Sequence, residues 1–110
     1  MMRMAMSPAA AGLLRELVRR AGCGRDRILL TDVHSTDWQS LTFIGERHEM
    51  ELRVSGPGAS ELVEHLLLGL GDAEFAIPGQ IVADIVAAGE FPPQADGSVT
   101  LHFEALTIAE

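Results

Sequence analysis

The seven residues Asp32-Val33-His34-Ser35-Thr36-Asp37-Trp38 bring together several side chains able to do chemistry. Asp32 and His34 are two apart, so in an extended segment they project to the same side. An imidazole beside carboxylates suits a divalent metal or general-base catalysis. Asp37 is near enough in sequence to fold back toward the pair, and His48 joins them if its own strand runs alongside. Asp32, His34, Asp37 and His48 are therefore the candidates both for catalysis and for metal binding. Ser35, His48 and Asp37 also supply the residue types of a hydrolytic triad, but no nucleophile elbow accompanies them. A simpler reading stands beside these: Ser, Thr and Asp are ordinary turn residues that bond nearby backbone amides. The spacing matches no established ligand pattern.

Other reactive groups offer less. Cys23 has Arg20, Arg25 and Arg27 as sequence neighbours, which favours a thiolate, but no base is identifiable as its partner. Gly56-Pro57-Gly58 and Gly69-Leu70-Gly71 do not complete a phosphate-binding loop, because the chain contains no Lys. The absence of Lys and Tyr also removes a Schiff-base amine and a phenolic acid from any mechanism. Lys, Asn and Tyr share A- and T-rich codons, so their joint absence points to a GC-rich, bacterial coding bias. Trp38 and Arg53 are the candidate interface residues, being of the types enriched at binding hot spots. His65 and His102 fall on expected solvent faces.

The formal charge of −8 is unevenly divided. Residues 1–27 carry six Arg against Glu16 and Asp26, a net of +4, whereas residues 28–110 carry two Arg against fourteen acids, a net of −12. An acidic body repels phosphate backbones, which argues against nucleic acid as a partner. The basic segment has two readings, a helix lying near acidic neighbours or a membrane-surface anchor, and the first needs less. No apolar run approaches the roughly 20 residues of a membrane span. Arg15, Glu16, Arg19 and Arg20 interrupt what would otherwise lead into a cleavage site at Ala21-Gly22-Cys23. The expected location is the cytoplasm, with Cys23 reduced.

These residues need elements to hold them. Ser7-Pro8 starts a helix, Ala10, Leu13, Leu14, Leu17, Val18 and Ala21 give it one apolar stripe, and Gly22 ends it. Residues 27–33 are apolar on both sides at their centre, as in a doubly covered strand. Residues 38–44 and 47–54 flank Gly45-Glu46, which suits a two-residue type II′ hairpin turn. That register sets Phe43 opposite His48, Leu41 opposite Met50 and Trp38 opposite Arg53. Phe43, His48 and Met50 fall on the core side, and Arg47, Glu49, Glu51, Arg53 and Trp38 on the other. Residues 59–70 repeat Leu62, Val63, Leu66, Leu67 and Leu70 at helical spacing. Residues 80–88 and 98–108 read as strands. In the last, Leu106 and Ile108 reverse the parity of Val99, Leu101 and Phe103, which suggests a bulge or two-sided burial near Ala105.

The whole reads as one α+β domain over residues 7–110, preceded by a flexible segment over 1–6. Its sheet is mixed but antiparallel-rich, with about five strands in the order αβββαββ and two helices on one face. The crossover between residues 54 and 80 leaves its flanking strands parallel. The apolar surplus of three strands favours a non-enzymatic binding or assembly module that forms a homodimer. The alternative is a small metal-dependent or acid–base enzyme built on Asp32, His34 and Asp37 with His48. The sequence calls for no cofactor and names no small-molecule ligand.

Overall fold

The computed structural model describes residues 6–22, 25–89 and 91–110. The flexible segment expected over 1–6 falls outside them except for Met6, as does Cys23. Helix α1 (Pro8–Ala21) begins where the sequence places it. The Ser7 hydroxyl accepts from the Ala10 amide at 3.1 Å, Pro8 takes the first helical position, and Gly22 closes the helix with φ 70°. Strands β1 (Ile28–Gln39) and β2 (Ile44–Val54) form a hairpin. After it come helix α2 (Ala59–Leu67), a short 3-10 turn at Leu70–Asp72, and strands β3 (Gln80–Ala88) and β4 (Val99–Ala109).

The domain is α+β, and its described residues form four antiparallel strands in the spatial order β1-β2-β4-β3, with the element order αββαββ. The first two expected strands are one. The polar residues 32–38 continue β1 because their alternation puts Asp32, His34 and Thr36 on an open face, where polar side chains meet water. β2 and β3 both pair with β4 antiparallel. They run parallel to each other as the crossover requires, but β4 lies between them, so among the described residues the sheet contains no parallel pair. β1 is an edge strand and not a doubly covered one; Leu29 on its outer side is 61% exposed.

The hairpin turns four residues earlier than the glycine suggests. Ser40 to Phe43 form the loop, closed by the Ser40 amide donating to the Phe43 carbonyl at 2.9 Å. The Ser40 hydroxyl accepts from the amides of Thr42 and Phe43 at 3.3 and 3.0 Å. His48 consequently pairs with Ser35, Met50 with Val33 and Arg53 with Leu29. Phe43 is exposed in the loop and does not face His48. Gly45 lies inside β2 between Trp38 and Ile108, and a Cβ there would sit 2.0 Å from the Thr107 carbonyl oxygen. Close backbone approach, and not a turn, requires this glycine.

The two faces of β2 are nevertheless those expected: His48, Met50, Leu52 and Val54 are buried, while Arg47, Glu49, Glu51 and Arg53 share the other face with Trp38. β4 keeps one parity throughout, with Val99, Leu101, Phe103, Ala105 and Thr107 inward. The irregularity sits on the neighbouring strand, between Val82 and Asp84, and Leu106 and Ile108 emerge on the outer face half-covered. A second register shift lies between Leu30 and Asp32. On the inner face, Leu13 and Leu17 of α1 and Val63 and Leu66 of α2 complete one core with Leu52, Leu101 and Phe103. Leu66 has no exposed surface. Its replacement by Ala should lower the unfolding free energy by about 2–5 kcal/mol in urea titration; a loss below about 1 kcal/mol would mean that α2 is not seated on the sheet.

Candidate functional site

The sheet divides the sequence candidates. Alternation along β1 turns Asp32 and His34 outward and Ser35 and Asp37 inward, and β2 turns His48 inward. His34 and His48 therefore lie on opposite faces. Asp37 stands opposite Glu46, one row beyond the Ser35–His48 pair. Among the described residues no group of three or more His, Cys, Asp or Glu side chains is arranged to hold a metal ion.

What the structure does assemble is a polar chain inside the sheet. His48 is fully buried, with Nδ1 2.7 Å from the Ser35 hydroxyl and Nε2 2.8 Å from the Thr107 hydroxyl. Thr107 Oγ1 in turn lies 3.5 Å from the Glu46 carbonyl oxygen, which can only accept. One orientation serves all of these atoms. Thr107 donates to the Glu46 carbonyl, Nε2–H donates to Thr107, and the bare Nδ1 accepts from Ser35. Burial holds the His48 pKa below its ordinary value, with the negative charge of Glu46 pulling weakly the other way. The ring is thus a neutral imidazole with both nitrogens occupied. The hydrolytic grouping of the sequence reading is half present: Ser35 meets His48, but a threonine hydroxyl and not Asp37 holds the far nitrogen.

The outer face of the sheet is the second candidate. Strand register sets its side chains in rows across the four strands. One row runs Asp32, Glu51, His102, Ala88; the next runs His34, Glu49, Glu104, Val86; a third runs Thr36, Arg47, Leu106, Asp84; the last runs Trp38, Gly45, Ile108, Ile81. The first two rows are acidic. Glu49 stands directly opposite Glu104, and Asp32 opposite Glu51, arrangements that cost stability. His102 Nε2 lies 3.4 Å from a Glu51 oxygen, and the Thr31 hydroxyl donates to the other at 2.7 Å. The last row is apolar, and Phe43 in the adjoining hairpin loop is 51% exposed.

No family model matches the chain, and no curated protein matches it.

Trp38 and Arg53 share the outer face but stand at its opposite ends, so the pair expected from the hairpin does not form. Gly45 is the cross-strand neighbour of Trp38. Arg53 is committed elsewhere: its guanidinium pairs with Asp96 and its Nε donates to the Ser98 hydroxyl at 3.1 Å. Hydrogen bonds from Ser98, and then the guanidinium, lower the Asp96 pKa. Arg53 thus secures the loop before β4. The sequence reading passed over Thr107, Ile81, Leu106 and Ile108. The parity reversal at Leu106 and Ile108 was their trace: it marks a strand with apolar residues on both faces.

The buried imidazole has a pH signature. Protonation of His48 is less favourable in the folded chain than in the unfolded chain, so its contribution to stability is intact above the ordinary imidazole pKa of about 6.5 and is lost as pH falls below it. Urea midpoints measured at successive pH values should fall on acidification in the wild type. In His48→Gln this component of the slope should vanish; an unchanged slope in the variant would assign it to other groups.

Proposed function

We propose that this protein is a small non-enzymatic binding or assembly module of the bacterial cytoplasm that acts as a homodimer. The open outer face of the sheet carries the reading. Two helices cover one face of the four strands, while Trp38, Leu106, Ile108 and Ile81 form an apolar end on the other. Contiguous apolar surface of this kind marks a contact site. A second copy suits it because an apolar row can meet its own copy across a two-fold axis. A dyad that lies between two such faces and runs across the strands stacks the apolar ends. It also sends the acidic rows of the two copies outward in opposite directions. Full overlap of the faces would instead set Glu49 and Glu104 against their own copies. Among the described residues no helix is long and apolar enough to cross a membrane. Trp38 is the interface anchor in this account, and Arg53 is a support of the fold.

A small acid–base enzyme is the second reading, and the 2.7 Å contact between Ser35 and His48 is the observation that favours it. Asp32, His34 and Asp37 stand outside that pair. Covalent labelling of Ser35 by a fluorophosphonate probe at neutral pH would support this reading, and an inert Ser35 would remove it.

Light scattering on the purified chain tests the dimer. At micromolar concentration the mass should be twice the 11.8 kDa of the monomer. Ile81 is half exposed on an edge strand, so Ile81→Glu should leave the fold intact and bring the mass down to that of the monomer. A wild type that is monomeric under these conditions contradicts the reading.

A further inference from the structure

A groove of about 810 Å³ runs between α1 and the free edge of β1. Leu14 and Val18 form its helical wall and Ile28 and Leu30 its strand wall, with Arg15 and Arg19 beside them on α1. It lies apart from the apolar end of the outer face. We infer that this groove binds an extended partner segment, apolar with an acidic residue, that adds to β1 as a fifth strand.

Three observations converge on that occupant. The first is the edge. Among the described residues β1 pairs only with β2, so on its other side alternate backbone N–H and C=O groups meet no described strand. Such an edge is a template for an incoming strand. The second is the groove itself, of the size that takes a ligand's side chains. A strand added beside Ile28–Leu30 directs every second side chain toward Leu14 and Val18. Its intervening side chains fall on the outer face beside Leu29, which is 61% exposed there.

The third is charge. Three of the described arginines are engaged in the fold. Arg20 donates to the carbonyls of Leu66 and Leu68, Arg27 to those of Ser55 and Pro57, and Arg53 binds Asp96. Arg15 takes part in no ion pair among the described residues. Arg19 is 77% exposed and lies 3.9 Å from Glu16, whose other oxygen accepts from the Ala76 amide at 2.7 Å. Arg15 and Arg19, both exposed, thus stand together on the groove, whereas Arg47 lies away from it on the outer face of the sheet. The rest of the chain is acidic, so an acidic segment is repelled elsewhere and drawn to α1.

Two other occupants use fewer of these features. A fatty acid would fill the groove and meet the arginines but leave the strand edge unpaired. A second copy pairing β1 with β1 would set Arg15 and Arg19 of one α1 beside those of the other.

A labelled hexapeptide, Thr-Val-Thr-Val-Thr-Glu, and its counterpart ending in Lys are the probes, titrated into the full ¹⁵N-labelled chain. The Glu peptide should shift the amide resonances of residues 28–33 and bind at least tenfold more tightly than the Lys peptide. The double variant Arg15→Glu, Arg19→Glu, altered only at exposed helix positions, should invert that preference. Equal binding of the two peptides, no shift along 28–33, or a preference unchanged in the variant would overturn the inference. So would displacement of the peptide by oleate without any strand-edge shift. Ile81→Glu, which separates the proposed dimer, should bind the Glu peptide as the wild type does. Loss of peptide binding in that variant would place the site in the dimer contact and also overturn the groove assignment.

Discussion

Leu52 and Leu101 face each other on the two central strands, and both lose all contact with water when Leu13, Leu17 and Leu66 are packed over them. The remaining architecture depends on this one-sided burial. A strand has two faces, and the described residues supply two α-helices, which occupy one layer. Burying the inner face therefore leaves the outer face open along its whole width. Its character then follows from the odd-numbered residues of β2 and the even-numbered residues of β4, acidic at one end and apolar at the other.

The same packing accounts for the interior polar chain. His48 lies on the buried parity of β2, between Ser35 of β1 and Thr107 of β4. A buried imidazole without partners would be costly. Two hydroxyls from neighbouring strands satisfy both nitrogens, and they tie three strands together at the end of the sheet that the leucines do not reach. A one-residue slip of β4 against β2 would bring Leu106 or Ile108 to the Thr107 position and leave one ring nitrogen unsatisfied. The chain of hydroxyls is thus a register device as well as a satisfied core group, and the absence of a carboxylate behind the ring accords with that role.

Much of this was legible from residue types. Ser7, Pro8 and Gly22 mark the ends of α1 through capping chemistry that depends only on local sequence. The alternation of β2 separates its faces whatever its partner is. The hairpin was not legible, because Gly45-Glu46 satisfies the rule for a two-residue turn while the glycine is needed for the approach of the Thr107 carbonyl, sixty-two residues away in sequence. Ser40, whose hydroxyl closes the actual loop, is one of several turn-forming residues in that stretch, and nothing local singles it out. Residues 32–37 resembled a loop for a related reason: polar residues in an edge strand with one open face have the composition of a turn. Of the candidate site, the Ser35–His48 contact was nameable from residue types, but its geometry depends on the register. The outer apolar row depends on four strands at once and has no local signature beyond Leu106 and Ile108.

Trp38 is the only tryptophan in the chain and sits in that outer row, half-covered within a single copy. Its emission therefore reports directly on whether the open face is covered in solution. On dilution from micromolar into the nanomolar range, the wild-type spectrum should move to longer wavelength and become more accessible to acrylamide, converging on the spectrum of Ile81→Glu. A wild-type spectrum identical to that of Ile81→Glu at every concentration would show that the face stays open and would contradict the account.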